Sequence, residues 1–396
     1  MDFQRMNSLN VWLNLLSGNL LPMTVNSSFP ILWKIYSAFV WLLELVYMGT
    51  AIFGCFYVSK EKALNDGLLS LIVTVEGIFM VTRIHAQRGL VQQLIRKLND
   101  LLRVEDETMK RVVMTNLKPM EIPFKLYLAG GSFSVFLFYC ICFQLVFEKD
   151  TFFYEDYKTP AIYSKEPFST DIFLMGSLIA LISNMYVFFK KVSVDIYMTY
   201  LLALITAQYQ YIALKLVSIF RDGGHLQYNN GGAQGNQPTI DFFVEKEIRT
   251  LCRHHNSVTR ITLMLKKLLS LNFSLTYINN VFRFCFVGIM LTKISTSFLE
   301  GFMVFMYGCG AILQFYILCS CVQKLMEASM EVTDKAFHEN WYQFDISIKR
   351  TFILMIIASN LELKLSTFEK FNLSLPSFMA VLNQSYSIAL LLLKMN

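Results

Sequence analysis

Apolar side chains in this chain gather in long runs separated by shorter polar stretches, a pattern that predicts helices able to cross a bilayer. The runs cover about Ile31 to Val58, Asp66 to Ile84, Phe124 to Phe147, Asn272 to Lys293 and Glu300 to Val322. Another begins at Asp171 and continues as a long helix past Lys190, and the last covers about Ser374 to Lys394. At 1.5 Å per residue, a run of roughly 20 residues spans about 30 Å of hydrocarbon. The expected fold class is therefore an all-α membrane protein with seven transmembrane helices.

Between the apolar runs the period changes. Val11, Trp12, Leu15 and Leu16 recur at helical spacing in a leader, 1–30, expected to lie on the membrane surface. Leu90, Val91, Leu94, Leu98 and Leu101 continue the second span as an amphipathic helix over Ala86 to Leu102. Similar patterns cover Val194 to Phe220, Phe242 to Leu271 and Asp345 to Ala358. Such helices must bury their apolar stripes, which predicts a bundle of helix extensions beyond the membrane. Asp222 to Pro238, rich in Gly, Asn and Gln, reads as a flexible linker. The domain division is then 1–30 as leader, 31–322 as six spans with extensions, 323–373 as anchor helices and 374–396 as the seventh span.

Composition agrees with this class. Only 16% of the 396 residues are charged, against 55% hydrophobic, whereas soluble chains carry about 25% charged. No secretory signal precedes the first span, and no loop carries paired cysteines, so neither a disulfide framework nor a zinc site is expected. Cys252 falls in what reads as a basic loop. The net charge of +6 reflects loop lysines and arginines and not nucleic-acid binding.

The distribution of those charges orients the chain. Nine Lys and Arg lie between Arg83 and Lys125, ten between Lys190 and Lys267 and six between Lys324 and Lys370, 25 of the 35 in three connections. The segment from Glu148 to Asp171 sets three lysines against six acidic residues. Under the positive-inside rule the second, fourth and sixth connections are cytosolic, with the amino terminus inside and the carboxyl terminus outside. This parity is opposite to that of a G-protein-coupled receptor.

No catalytic constellation emerges, so no enzyme activity and no cofactor are expected. The five histidines lie in cytosolic connections without metal-ligand spacing, and His254-His255 reads as a solvated helix face. Gly130-Gly131 and Gly308-x-Gly310 lie within spans, where glycine permits close helix packing. The Asn-x-Ser sequons at Asn26, Asn272, Asn372 and Asn383 lie in the leader or at spans, where glycosylation is not expected. Glu44, Glu76 and Arg283 fall inside spans, where an unpartnered charge costs at least about 2–3 kcal/mol, so each must face protein or water. Asn383 to Ser387 places five polar or amphipathic residues inside the last span, a cluster that glues helices together or lines water.

Trp341-Tyr342, Lys349-Arg350, the Ser-Leu-x-x-Phe step at Ser374 to Phe378, then Ser385-Tyr386-Ser387 and Leu390-Leu391 form an ordered set that resembles the carboxyl-terminal signature of insect odorant receptors. Asp195 with Leu201, Leu204, Gln208 and Leu214 is similar to the inner end of that family's fourth helix. The resemblance implies an inverted seven-span, ligand-gated cation channel in the plasma membrane. Its ligand-tuned subunits bind a small volatile odorant and assemble with a shared co-receptor into a heterotetramer around one pore in the lipid. By topological equivalence it implies a pocket from Val73, Glu76, Gly77, Phe136, Tyr139, Phe143, Ile179, Ser183, Tyr186, Phe302, Phe305 and Met306. The final helix would line the pore. Helical spacing puts Leu382, Ser385, Ala389 and Leu392 on one face of it. A related gustatory-type channel and a membrane transporter are the alternatives.

Overall fold

The computed structural model describes residues 2–24, 29–103, 106–229, 237–293, 298–339, 341–366 and 373–395. Two short helices, α1 (Phe3–Met6) and α2 (Ser8–Leu16), precede α3 (Ile31–Tyr57) and a single turn, α4 (Lys60–Lys62). A π-helical turn over Ala63–Gly67 leads into α5 (Leu68–Ala86), followed by α6 (Arg88–Leu102) and α7 (Glu107–Leu145). A small antiparallel pair, β1 (Thr151–Phe152) and β2 (Phe168–Ser169), ties the next connection together. Then come α8 (Thr170–Asn229), α9 (Gln237–Lys293), α10 (Phe298–Phe337), α11 (Ile346–Ser366) and α12 (Leu375–Met395).

Six of these helices, α3, α7, α8, α9, α10 and α12, are long and apolar enough to cross a membrane. The 19-residue α5 runs beside them against α8 and α9. With 60 residues, α8 is about 90 Å long, three times a hydrocarbon core, so much of it must stand outside the bilayer. The 57-residue α9 and 40-residue α10 do the same, and these extensions pack together with α11.

The lipid-facing wall follows from composition. Along α3, Ile31, Leu32, Ile35, Phe39, Leu42, Phe53 and Phe56 are exposed, whereas Val40, Tyr47 and Ala51 turn inward. Gly54 lets this helix meet the outer connection, since a Cβ there would lie 2.5 Å from the backbone of Pro160. The connection is held over the bundle by Phe152, Tyr154, Tyr157, Phe168 and Phe173, with the Phe152 and Phe173 rings stacked at 4.2 Å.

Several sequence expectations change here. Residues 190–209 of α8 are buried on every side, where the periodicity over Val194 to Phe220 predicts an amphipathic helix. Neighbouring helices close around it, so the helix core supplies its own polar partners. Lys190 and Lys191 are therefore not loop charges, which leaves eight Lys and Arg in that connection. The second span does not run unbroken into its extension, because the backbone turns at Gln87 between α5 and α6. Cys252 and the two histidines lie on α9, not in a loop; His255 is buried, and His254 shares a hydrogen bond with Gln208 at 3.0 Å. The solvated face is lost because α9 lies against α8 there.

The leader shows a comparable inversion. Its polar residues Asn7, Asn10, Asn14, Ser17 and Asn19 are fully buried or nearly so, whereas Trp12 is exposed. The Asn19 amide donates to the Lys190 carbonyl at 3.1 Å, and Tyr197 donates to the Pro22 carbonyl at 2.7 Å, so the leader's polar side is sewn into α8. The linker expected over Asp222 to Pro238 is helical up to Asn229 and again from Gln237; the rest of it lies outside the described residues. So do Asn26 and Asn372.

Candidate functional site

Between α5, α7, α8 and α10 lies a cavity of about 430 Å³, within the size range of small-molecule sites. Val73, Val135, Phe138, Val187, Phe188, Met290, Met303 and Val304 give it apolar walls. Gly131 allows the Phe188 ring to lie against α7; a Cβ there would fall 2.1 Å from that ring. The outer connection contributes Lys158 and Thr159, and Lys62 pairs with Asp66 at 2.9 Å at the border of the site.

One side of the cavity is polar. The Tyr47 and Ser70 hydroxyls share a hydrogen bond at 3.1 Å, and Ser70 donates to the Asn184 Oδ1 at 3.1 Å. Asn184 donates through Nδ2 to the Tyr139 hydroxyl at 2.6 Å and to the Ala180 carbonyl at 2.9 Å. Tyr139 and Thr159 share a further bond at 3.0 Å. This uncharged strip joins α3, α5, α7, α8 and the outer connection.

Elsewhere in the lining, the Tyr307 hydroxyl leads out of the cavity into a buried ionic network. It accepts from Arg283 Nε at 2.9 Å, and Arg283 Nη1 donates to Gln314 Oε1 at 2.8 Å. Gln314 Nε2 donates to Asp195 Oδ2 at 2.8 Å, and Lys191 lies 2.6 Å from Asp195 Oδ1 and 3.1 Å from Glu76 Oε1. Two cations and two carboxylates, each less than 5% exposed, thus balance across α5, α8 and α9, with the neutral Tyr307 and Gln314 of α10 linking them. Glu44 pairs separately with Lys190, whose ammonium sits 3.5 Å from the centre of the Trp41 ring. Pairing removes most of the cost of holding these charges away from water.

The expected pocket residues distribute unevenly. Val73 and Tyr139 line the cavity. Glu76 is buried in the ionic network one turn beyond Val73, and Gly77 is buried beside it. Ser183 is buried, and Tyr186 is half-buried and accepts a hydrogen bond from Tyr36 at 3.2 Å. Phe143, Ile179 and Met306 are half-buried and lie off the cavity wall. Phe136, Phe302 and Phe305 are 52, 43 and 55% exposed, on the outer surface. The lining residues are instead their neighbours: Val135 and Phe138, Asn184 and Val187, Met303 and Val304. A step of one residue turns a helix by about 100°, which carries a side chain from the cavity to the lipid.

On α12, Ser385 and Ala389 are buried and Leu382 is half-buried. The Ala389 Cβ comes 3.9 Å from where a Cβ on Gly288 of α9 would lie. Tyr277 of α9 donates to Gln384 at 3.1 Å. The exposed surface of this helix carries Asn383, Tyr386, Ser387, Leu390, Leu391 and Leu392. Among the described residues, no group of three or more His, Cys, Asp or Glu could hold a metal ion.

Comparison with known proteins places this geometry in a family. A profile described as 7tm Odorant receptor matches residues 62–386. Odorant receptor 67a of Drosophila melanogaster is 26% identical over 142 residues, 36% of this chain and 34% of that protein. Putative odorant receptor 85d of the same organism is 20% identical over 181 residues, 46% of this chain and 42% of that protein. The matched stretches thus cover well under two thirds of these relatives. The solved insect olfactory receptor OR5 from Machilis hrabei in complex with eugenol superposes with a TM-score of 0.82 over 100% of this chain and 99% of that one, at 13% identity.

Proposed function

Because the chain belongs to the seven-transmembrane odorant receptor family, we propose that it binds a small volatile ligand in the cavity between α5, α7, α8 and α10 and that binding opens a cation-conducting pore. The observation that carries this reading is the cavity itself, with its largely apolar wall and short polar strip. Burying an apolar ligand at about 25 cal/mol per Å² supplies most of the affinity, and a few polar groups orient it.

The chain acts as a ligand-tuned subunit beside a co-receptor in a heterotetramer at the plasma membrane, with its amino terminus cytosolic. The four subunits enclose a pore, to which this chain contributes a surface that it leaves open. On α12 that surface carries Asn383, Ser387 and Leu391 at four-residue steps, with Leu392 beside them. Polar groups there solvate a passing cation, and the leucines form a constriction that closes by dewetting. Leu391→Ser or Leu392→Ser is expected to raise ligand-independent current several-fold in patch-clamp recordings; an unchanged baseline with both would move the pore to another face.

The function is tested by recording from cells that express the chain alone or with a co-receptor of this family, challenged with volatile esters, alcohols, ketones and aromatics. Odour-evoked cation current in the paired cells alone is the expected result. Current from the chain alone would remove the co-receptor from the proposal. Saturable uptake without channel openings would replace it with transport.

A further inference from the structure

We propose that Asn184 is the residue that sets ligand selectivity, by holding a neutral hydrogen-bonding strip in the wall of a largely apolar cavity. This rests on the reading of that cavity as the ligand site. The ligand class it selects has an apolar body and one uncharged oxygen, such as a ketone, and is favoured over a hydrocarbon of the same shape.

Asn184 occupies the middle of the strip. Its Oδ1 accepts from Ser70 of α5, and its Nδ2 donates to Tyr139 of α7. Its other amide hydrogen is fixed on the Ala180 carbonyl, one turn earlier in α8, which locks the amide plane. Ser70, Tyr139, Thr159 and Asn184 all line the cavity; Val187, Phe188, Met303 and Val304 add apolar wall, and Lys62, Asp66, Ser134, Lys158 and Tyr307 are the other polar residues of the lining. A ligand without oxygen must lie against polar groups with nothing to offer them, and a site built around hydrogen-bonding groups rejects such an analogue. The strip carries no formal charge, so it reads hydrogen bonding and not ionisation. It also includes Thr159 of the outer connection, so the residues that recognise the oxygen are those that pin that connection over the cavity.

The test uses the full chain expressed with a co-receptor and two isosteric pairs, acetophenone against α-methylstyrene and 2-octanone against 2-methyl-1-octene. In each pair the carbonyl oxygen is exchanged for a methylidene group. Wild-type channels are expected to respond to the ketones at concentrations about tenfold lower than to the alkenes. In Asn184→Leu the ratio should fall to within about threefold, chiefly through a loss of ketone sensitivity. Ser70 keeps Tyr47 and Tyr139 keeps Thr159 as partners, so the variant retains most of the local structure. Asn184→Ser, which restores a hydroxyl, should keep an intermediate ratio. Because the readout is a ratio within each variant, surface expression does not move it. An unchanged ratio in both variants overturns the proposal, as does a wild-type channel that favours the alkenes, treats the pairs alike or answers none of the four. A Val304→Trp variant separates the two layers. If it answers both members of a pair as wild type does, the cavity is not the ligand site and the reading beneath the proposal fails.

Discussion

The cavity and the ionic network are built from the same helices, α5, α8 and α10, yet they solve opposite problems. Around the cavity, apolar side chains leave space and one uncharged strip faces it. A few turns along α8, residues 190–209 are buried on all sides and every charge there has a partner. Space can be left where a ligand later supplies contacts, whereas a buried charge tolerates no gap, because its desolvation must be offset within the fold. The same helices can therefore hold a variable site and a fixed frame, with Tyr307 and Arg283 at the junction.

This contrast can be broken at the frame first. Glu44→Leu leaves Lys190 buried without its carboxylate, and such a loss costs about 3–5 kcal/mol. The expected result is a large drop in folded protein at the cell surface and in the melting temperature of detergent-purified protein. Combining it with Lys190→Met should restore most of the loss, since an apolar pair of similar volume replaces the ion pair. If the single and double variants behave alike, the pair is not part of the frame.

The cavity should behave in the reverse way. Val304→Trp fills space and should leave surface expression close to wild type while raising the half-maximal ligand concentration more than tenfold. A variant that fails to reach the surface would show that the cavity is part of the frame after all.

At the junction, Arg283→Lys keeps the charge but cannot offer the guanidinium's fork to both Tyr307 and Gln314. A reduced maximal current with an unchanged ligand ranking is expected, and a changed ranking would place Arg283 among the ligand contacts.

The smallest effect lies outside both regions. Asp106 caps α7 by accepting from the Thr108 amide at 2.8 Å and pairs with Lys215 at 2.8 Å. The Lys215 ammonium, with the Thr108 amide and Tyr211 hydroxyl, holds its carboxyl well below the usual carboxylate range. Its contribution is therefore present in full above its unfolded value near pH 4 and is lost as pH falls below that toward the lower folded value. Asp106→Ala should cost about 1 kcal/mol at neutral pH and make stability less steep below about pH 4 in thermal melts.

Particular residues show how far the pattern could be read. Glu44, Glu76 and Arg283 stand out in any apolar run, and all three are paired in the structure. The two glutamates' partners, Lys190 and Lys191, are ordinary basic residues at the end of a span until α8 is seen to be enclosed. Phe136, Phe302 and Phe305 lie on helices that border the cavity but face outward, because lipid and a ligand site both favour aromatics. Asn184 carries no signal in the sequence, since a single amide in a span is as readily a packing contact as a ligand group.

The sequence by itself determined the helices, their order and the family, because apolar runs of membrane length and an ordered set of carboxyl-terminal residues are local properties of the chain. Only the tertiary structure decided which face of each helix turns inward. The reason is physical: a membrane helix is apolar toward lipid and toward protein alike, so hydrophobicity gives its position along the chain but not its rotation about its axis. That rotation, about 100° per residue, separates Ser183, buried off the cavity, from Asn184, which lines it.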